Sequence, residues 1–328
     1  MKILAVDDDP VVLELLKQHA ASWGKHELHT LDNPKQALAR IETGEEYDCF
    51  LLDIVMPEMT GIELCAALRG VDGHARTPVI MLTAMSDKSF IDEAFAAGAT
   101  DYITKPFEGI ELRARIDLVD RVVETERRAK VAPYLLRGED EDGVATLTRR
   151  CPIHEPIEIK DVDGVISPLA LENYVTQLSR NALFGSSVFA FSIVGVANLH
   201  HRLSAFDFTA LVTDVAEAIS DCMKPNQYLM SYVGNGTFVC VTERGWTPDL
   251  AEFLDYIHTQ IADMDLHSSD GVPIGVQLCS SSVIRLTWRG GARAIDALAE
   301  AHMSAETRAS RIFRQQTDSR FWYESLMA

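Results

Sequence analysis

Apolar positions along this chain follow two different rhythms. Between Met1 and Asp120, short and mostly apolar runs alternate with segments whose apolar residues recur every three or four positions. The runs are Ile3 to Val6, the weaker Leu28 to Leu31, Asp48 to Asp53, Val79 to Leu82 after Pro78, and Tyr102 to Thr104. Runs apolar on both faces predict buried parallel strands. The periodic segments predict helices between them. Pro10 precedes Val11, Val12, Leu15 and Leu16, and Asn33-Pro34 precedes Ala37, Leu38 and Ile41. Met56-Pro57 and Gly61 punctuate a loop before a helix from Ile62 to Leu68. Ser86-Asp87 caps a helix that Gly98 stops after Ala97. Five such βα units predict a doubly wound five-stranded parallel sheet with helices on both faces.

The second half alternates differently. Helices are predicted over Leu169 to Asn181, Phe206 to Ile219, Leu250 to Met264 and Ala292 to Ala309. Strands are predicted over Val188 to Val196, Tyr228 to Val233, Phe238 to Thr242 and within Val272 to Ile284. Gly234-Asn235-Gly236 joins two of them as a hairpin. The order predicts a second, α+β domain. Three segments follow: residues 1–122, a connector over 123–164, and residues 165–328. From Glu111 to Lys130 a charged helix carries Leu112, Ile116, Val119 and Val123, a spacing that suits both a core stripe and a coiled-coil seam. A homodimer through this helix and a solvated linker both stand as readings. Gly138 to Gly143 reads as an acidic joint.

Polar residues follow the predicted strands of the first half. Asp7-Asp8-Asp9 follows the first run, Asp53 ends the third, Thr83 ends the fourth, and Lys105-Pro106 follows the fifth. Ligand chemistry in open α/β sheets collects at these carboxyl ends. Carboxylates, a lysine and a hydroxyl converging there suit a divalent metal and a phosphoryl group.

Composition narrows the partners. The 328 residues are 47% hydrophobic and carry 49 acidic against 30 basic side chains, a formal net charge of −19. That argues against a dominant contact with DNA or an anionic membrane. Six scattered cysteines with no CxxC predict reduced thiols in a cytoplasmic protein. The chain enters a strand at once, without a signal peptide, and no apolar run reaches the ~20 residues of a membrane helix.

The stretches LAVDDDP, FLLDIVMPEMTG, VIMLTA and GATDYITKPF resemble the flavodoxin-like receiver domain of two-component response regulators. The resemblance implies that Asp53 accepts a phosphoryl group from a sensor histidine kinase or a histidine phosphotransfer protein. It implies Mg²⁺ held by Asp7, Asp8, Asp53 and the backbone carbonyl of Val55, with Asp9 left to cap a helix. Lys105, after a cis bond to Pro106, would neutralise phosphoryl oxygens. Thr83 can swing its hydroxyl to the new group, a contact to a charged acceptor contributing roughly 1.5–3 kcal/mol. The resemblance implies that Tyr102 then rotates inward and changes the adjoining face. Val55 and Met85, apolar neighbours, are expected to hinder the attacking water.

The second half resembles the GGDEF, or diguanylate cyclase, domain in its element order and at SYVGNGTFVCV. Its departures matter. Val194-Gly195-Val196-Ala197 carries no carboxylate where the family holds metal, and Thr237 stands at the acidic fourth position of the signature. Lys224-Pro225-Asn226-Gln227-Tyr228 replaces the product-inhibition motif. Without these carboxylates two Mg²⁺ ions have no seat. The expectation is an inactive nucleotide-cyclase-like output domain binding a protein or nucleotide; an active cyclase and a DNA-binding regulator are the alternatives. His200-His201, His154, His258, His267 and His302 lack metal spacing, and Asp207 and Asp214 read as surface or capping acids. The arginine and aromatic residues from Arg308 to Tyr323 are expected to pack on their own domain.

Overall fold

In a computed structural model of the protein, the described residues are 1–21, 23–24, 26–84, 88–135, 151–177, 185–224, 226–243, 245–286 and 292–327. The chain divides into two compact units, Met1–Thr146 and Leu147–Ala328.

The first unit alternates β1 (Lys2–Val6), α1 (Pro10–Ala20), β2 (Glu27–Leu31), α2 (Pro34–Glu42), β3 (Cys49–Asp53), α3 (Gly61–Arg69), β4 (Val79–Thr83), α4 (Lys88–Ala96), β5 (Asp101–Thr104) and α5 (Gly109–Leu135). All strands pair in parallel, in the order β2-β1-β3-β4-β5. The strands β1, β3 and β4 are buried on both sides, as their apolar runs require, while the edge strand β2 is partly exposed. Ile3, Ala5, Leu51, Ile80, Leu82 and Ile103 meet Leu13 and Leu16 of α1 and Leu112, Ile116 and Val119 of α5. Leu4, Phe50, Leu52 and Met81, one residue out of phase, are equally buried on the opposite face. The seam residues Leu112, Ile116, Val119 and Val123 thus belong to this unit's core. Farther along α5, Arg127 forms an ion pair with Asp48, which also accepts the Lys2 N–H at 2.7 Å.

Local signals place the helix starts. Asp9 caps α1, accepting the Val11 N–H at 2.8 Å, with Pro10 in the first turn. Asn33 caps α2 through the Gln36 N–H. Gly98 follows α4 with a positive φ of 94°. The predicted cap Ser86-Asp87 and the acidic loop Gly138 to Gly143 lie outside the described residues.

The second unit holds α6 (Pro168–Gln177), β6 (Ser187–Ile193), α7 (Val196–Arg202), α8 (Ala205–Met223), β7 (Tyr228–Tyr232), β8 (Thr237–Thr242), α9 (Leu250–Asp263), β9 (Leu278–Ser280), β10 (Ile284–Arg285) and α10 (Ala292–Met327). Its sheet is antiparallel, in the order β10-β6-β8-β7, with β9 also pairing with β6. Phe189, Phe191, Ile193, Met230 and Phe238 pack against α8 and α9. Helices α6 and α10 pack on the sheet from β7 to β9.

Three expectations need correction. The run from Val188 does not stay a strand to Val196; it ends at Ile193 because Gly195 turns left-handed (φ 71°) and opens α7. The stretch Val272 to Ile284 gives only the short β9 and β10. The second unit begins at Leu147 rather than at residue 165, because Ile157, Ile159, Val162 and Val165 pack on its core. Helix α10 turns back on its own unit, as expected. Arg308 donates to the Ser280 carbonyl at 3.2 Å and Gln316 to Gln277 at 2.7 Å. Arg320, Phe321, Trp322 and Tyr323 carry side chains outside the described residues.

Candidate functional site: a carboxylate and lysine cluster at the strand ends

Parallel pairing and strand order put the polar residues side by side. β1, β3 and β4 are neighbours, so the ends bearing Asp7, Asp53 and Thr83 line one edge of the sheet. β5 adds Lys105 next to Thr83, and the Lys105 N–H donates to the Thr83 carbonyl at 2.6 Å. The Lys105–Pro106 bond is cis.

Lys105 draws the cluster together. Its Nζ lies 2.5 Å from Asp53 Oδ1 and 2.6 Å from Asp7 Oδ2. The second oxygen of each carboxylate is also engaged: Val55 N–H donates to Asp53 Oδ2 and Asp9 N–H to Asp7 Oδ1, both at 3.0 Å. Asp7 is fully buried and Asp53 is 6% exposed. Burial, foremost, holds the Asp53 carboxyl above the ordinary carboxylate range; Lys105 opposes this, and the charges of Asp7 and Asp8 add to it. Burial works against the Lys105 charge, yet its bonds to Asp53 and Asp7 carry the ammonium above its usual range.

Asp7, Asp8 and Asp53 each offer an oxygen within 4.8 Å of the others. Two are buried and Asp8 faces solvent. A hard-oxygen set with an open side fits Mg²⁺, which keeps several waters and needs few carboxylates.

Thr83 is buried at its strand end. Tyr102 is already inward at 8% exposure, edge-on to Phe95 of α4 with ring centroids 6.2 Å apart. Val55 is exposed, and Met85 lies outside the described residues. Next to Tyr102, the buried Asp101 pairs with Arg115 of α5 at 3.4 Å. Burial lifts its carboxyl to about 6, against the opposing pull of Arg115.

Gly61 is a positioning residue absent from the expected set. A Cβ at this residue would overlap the Asp53 carbonyl oxygen, and the Gly61 N–H donates to the Ile54 carbonyl at 3.0 Å. Thr60 and Glu63 hold it there through a capping box. The signal was in the sequence, in the Thr-x-x-Glu pattern of residues 60–63.

The response regulator receiver domain family matches residues 3–117. Residues 3–117 are a response regulator receiver domain. Among similar proteins, the transcriptional regulatory protein SrrA of Staphylococcus aureus is 38% identical over 115 residues, 35% of this chain and 46% of SrrA. The chain thus matches less than half the length of that relative, and only within the receiver. Chemotaxis protein CheY4 of Vibrio cholerae is 31% identical, over 36% of this chain and 97% of that structure, with a TM-score of 0.34. The receiver domain of sensor histidine kinase PA1611 from Pseudomonas aeruginosa, solved with magnesium in its active-site cleft, is 28% identical. It covers 38% of this chain and 97% of that structure, with a TM-score of 0.34.

The second unit has no carboxylate cluster of this kind among its described residues. Thr237 is buried and its hydroxyl donates to Ser192 Oγ at 3.0 Å. His200 bonds the Cys151 carbonyl at 2.8 Å. Asp207, expected as a surface or capping acid, is buried in the first turn of α8, whose cap is Ser204. It accepts from Ser204 Oγ at 2.8 Å and from the Ser269 N–H at 2.9 Å. No helix among the described residues is long and apolar enough to cross a membrane.

Proposed function

We propose that the protein is a phosphorelay response regulator in which Asp53 takes a phosphoryl group from the phosphohistidine of a sensor kinase or phosphotransfer protein. The observation that carries this is Lys105 Nζ bridging Asp53 and Asp7 at hydrogen-bond distance at the sheet edge. Asp53 is the nucleophile, and Lys105, bonded to it, opposes the upward pull of burial on its carboxyl. The same ammonium stabilises charge on the transferring oxygens, and phosphoryl transfer depends chiefly on such positioning and charge. Asp7, Asp8, Asp53 and the Val55 carbonyl would hold Mg²⁺, which when bound neutralises phosphoryl charge. Thr83 then donates its hydroxyl to the phosphoryl group, and Tyr102 keeps the inward position it already has.

The second unit is read as a GGDEF-like output domain without cyclase activity. Its element order and antiparallel sheet with β7-β8 beside β6 support this. So does Thr237, which stands at the acidic position of the family's signature and instead donates its buried hydroxyl to Ser192. The output is an interaction with a protein or nucleotide in the cytoplasm, and the net charge of −19 disfavours DNA.

Two assays test the reading. Incubation with an acyl phosphate and Mg²⁺ should label wild type and leave Asp53→Asn unlabelled. Incubation with GTP and Mg²⁺ or Mn²⁺ should yield no cyclic dinucleotide; its formation would overturn the output assignment.

A further inference from the structure

The loop that leaves Asp53 is short and closed on itself. The Gly61 N–H donates to the Ile54 carbonyl at 3.0 Å, so residues 55–60 must leave the strand and return to it. One end is tied to the site: the Val55 N–H donates to Asp53 Oδ2 at 3.0 Å. The other is tied to α3, which Thr60 caps with an extended backbone, φ −72° and ψ 158°. Pro57 has its φ fixed near roughly −65° by its ring and offers no N–H. The reversal falls on Glu58.

Glu58 has a φ of 69°, and across it the Met59 N–H donates to the Pro57 carbonyl at 2.8 Å. A three-residue turn closed in this way around a positive φ is the rarer and more strained of the two γ-turns. Glycine and asparagine are at ease with a positive φ; glutamate is not. The glutamate side chain has a partner instead. Lys35 Nζ of α2 lies 3.3 Å from Glu58 Oε2. Both side chains are exposed, so the pair contributes little to overall stability. Backbone strain of this kind persists where surrounding structure over-determines it, and it clusters at functional sites.

We propose that Glu58 is a positioning residue: its strained turn, tethered by Lys35, fixes the loop so that Val55 stays against Asp53 and presents its carbonyl to Mg²⁺. This rests on the reading of Asp7, Asp8, Asp53 and the Val55 carbonyl as the Mg²⁺ seat. It adds two residues that touch neither the metal nor the phosphoryl group. A glycine at residue 58 would ease the backbone but could not reach α2. The glutamate accepts the strain and gains the tether.

Mg²⁺ titration calorimetry and denaturant unfolding of the full-length protein test it together. Glu58→Gly relieves the backbone, so the unfolding midpoint should hold or rise. Mg²⁺ binding should nevertheless weaken by about two- to ten-fold, because the loop is no longer preorganised. A residue that only stabilised the fold would move both readouts the same way. Glu58→Asn should recover part of the lost affinity, since asparagine holds a positive φ more narrowly than glycine. Glu58→Gly binding Mg²⁺ as tightly as wild type overturns the inference. If that variant unfolds, Lys35→Met decides, because it alters only an exposed side chain. It should weaken Mg²⁺ binding by about two-fold, and unchanged affinity would overturn the inference. The functional reading fails separately: Asp8→Asn titrating like wild type would put the metal elsewhere and overturn both.

Discussion

The two units treat the ends of their central strands in opposite ways. In the receiver, the β1 and β3 ends carry carboxylates buried against a single ammonium, with Asp8 open to solvent. In the second unit, the β6 end and the β7-β8 hairpin carry glycine, valine and hydroxyls. There Thr237 pairs with Ser192, Gly236 donates to Tyr232, and Asn235 donates to the Ile153 carbonyl. A buried charge cluster is costly unless it is matched by partners, and three acids around one lysine leave negative charge over. That surplus is what a cation and a phosphoryl exchange can use. The hydroxyl pair leaves nothing over. Both ends are well packed, so packing does not distinguish a reactive site from a structural one; unbalanced charge does.

Perturbing each end separately should sharpen this contrast. The largest effect belongs to Lys105→Met, which removes the ammonium that bridges Asp53 and Asp7 and that the proposed transfer needs. Phosphoryl uptake in a timed labelling assay should slow by about 10²-fold or more. Next is Gly61→Ala, whose Cβ meets the Asp53 carbonyl. It should lower the stability of the first unit by about 3 kcal/mol, read from the denaturant midpoint, and slow labelling as well. Little loss of either would separate Gly61 from the site.

Asp101 gives a pH signature. Burial holds its carboxyl at about 6, above the 3.8 of an ordinary aspartate, so between those values the folded state binds more protons than the unfolded one. Its contribution to stability therefore grows as pH falls through that window, by about 2–3 kcal/mol at most. Asp101→Asn should remove that component from stability measured between about pH 4 and about pH 6. The smallest effect is expected from Thr237→Val. It leaves Ser192 Oγ buried without its partner, costing about 1–2 kcal/mol, and Ser192→Ala in the same chain should recover part of that. Labelling at Asp53 should be untouched; a change there would break the division between the two ends.

The first unit was largely legible because parallel strands buried on both faces announce themselves as uninterrupted apolar runs. Asp7, Asp53, Thr83 and Lys105 each sit at the end of such a run, so the cluster followed from the strand order. Gly61 was harder to see, since its role is to be absent where the Asp53 carbonyl needs room. The second unit was legible at its hairpin and long helices. Its short elements were not: Val196-Ala197 extends the apolar run of β6, and only Gly195 marks the turn into α7. The segment 151–155 has neither helical nor strand periodicity, yet its Ile153 and Cys151 carbonyls bond Asn235 and His200. Read by composition it was a linker; packed on the hairpin it belongs to the fold.

The central claim is that Asp53 is the reactive group of this chain. Full-length protein treated with an acyl phosphate and Mg²⁺, then digested and analysed by mass spectrometry, tests it directly. The phosphoryl group should map to the peptide containing Asp53, and Asp53→Asn should abolish it while the protein remains folded. Phosphorylation elsewhere, or equal labelling of Asp53→Asn, would contradict the account.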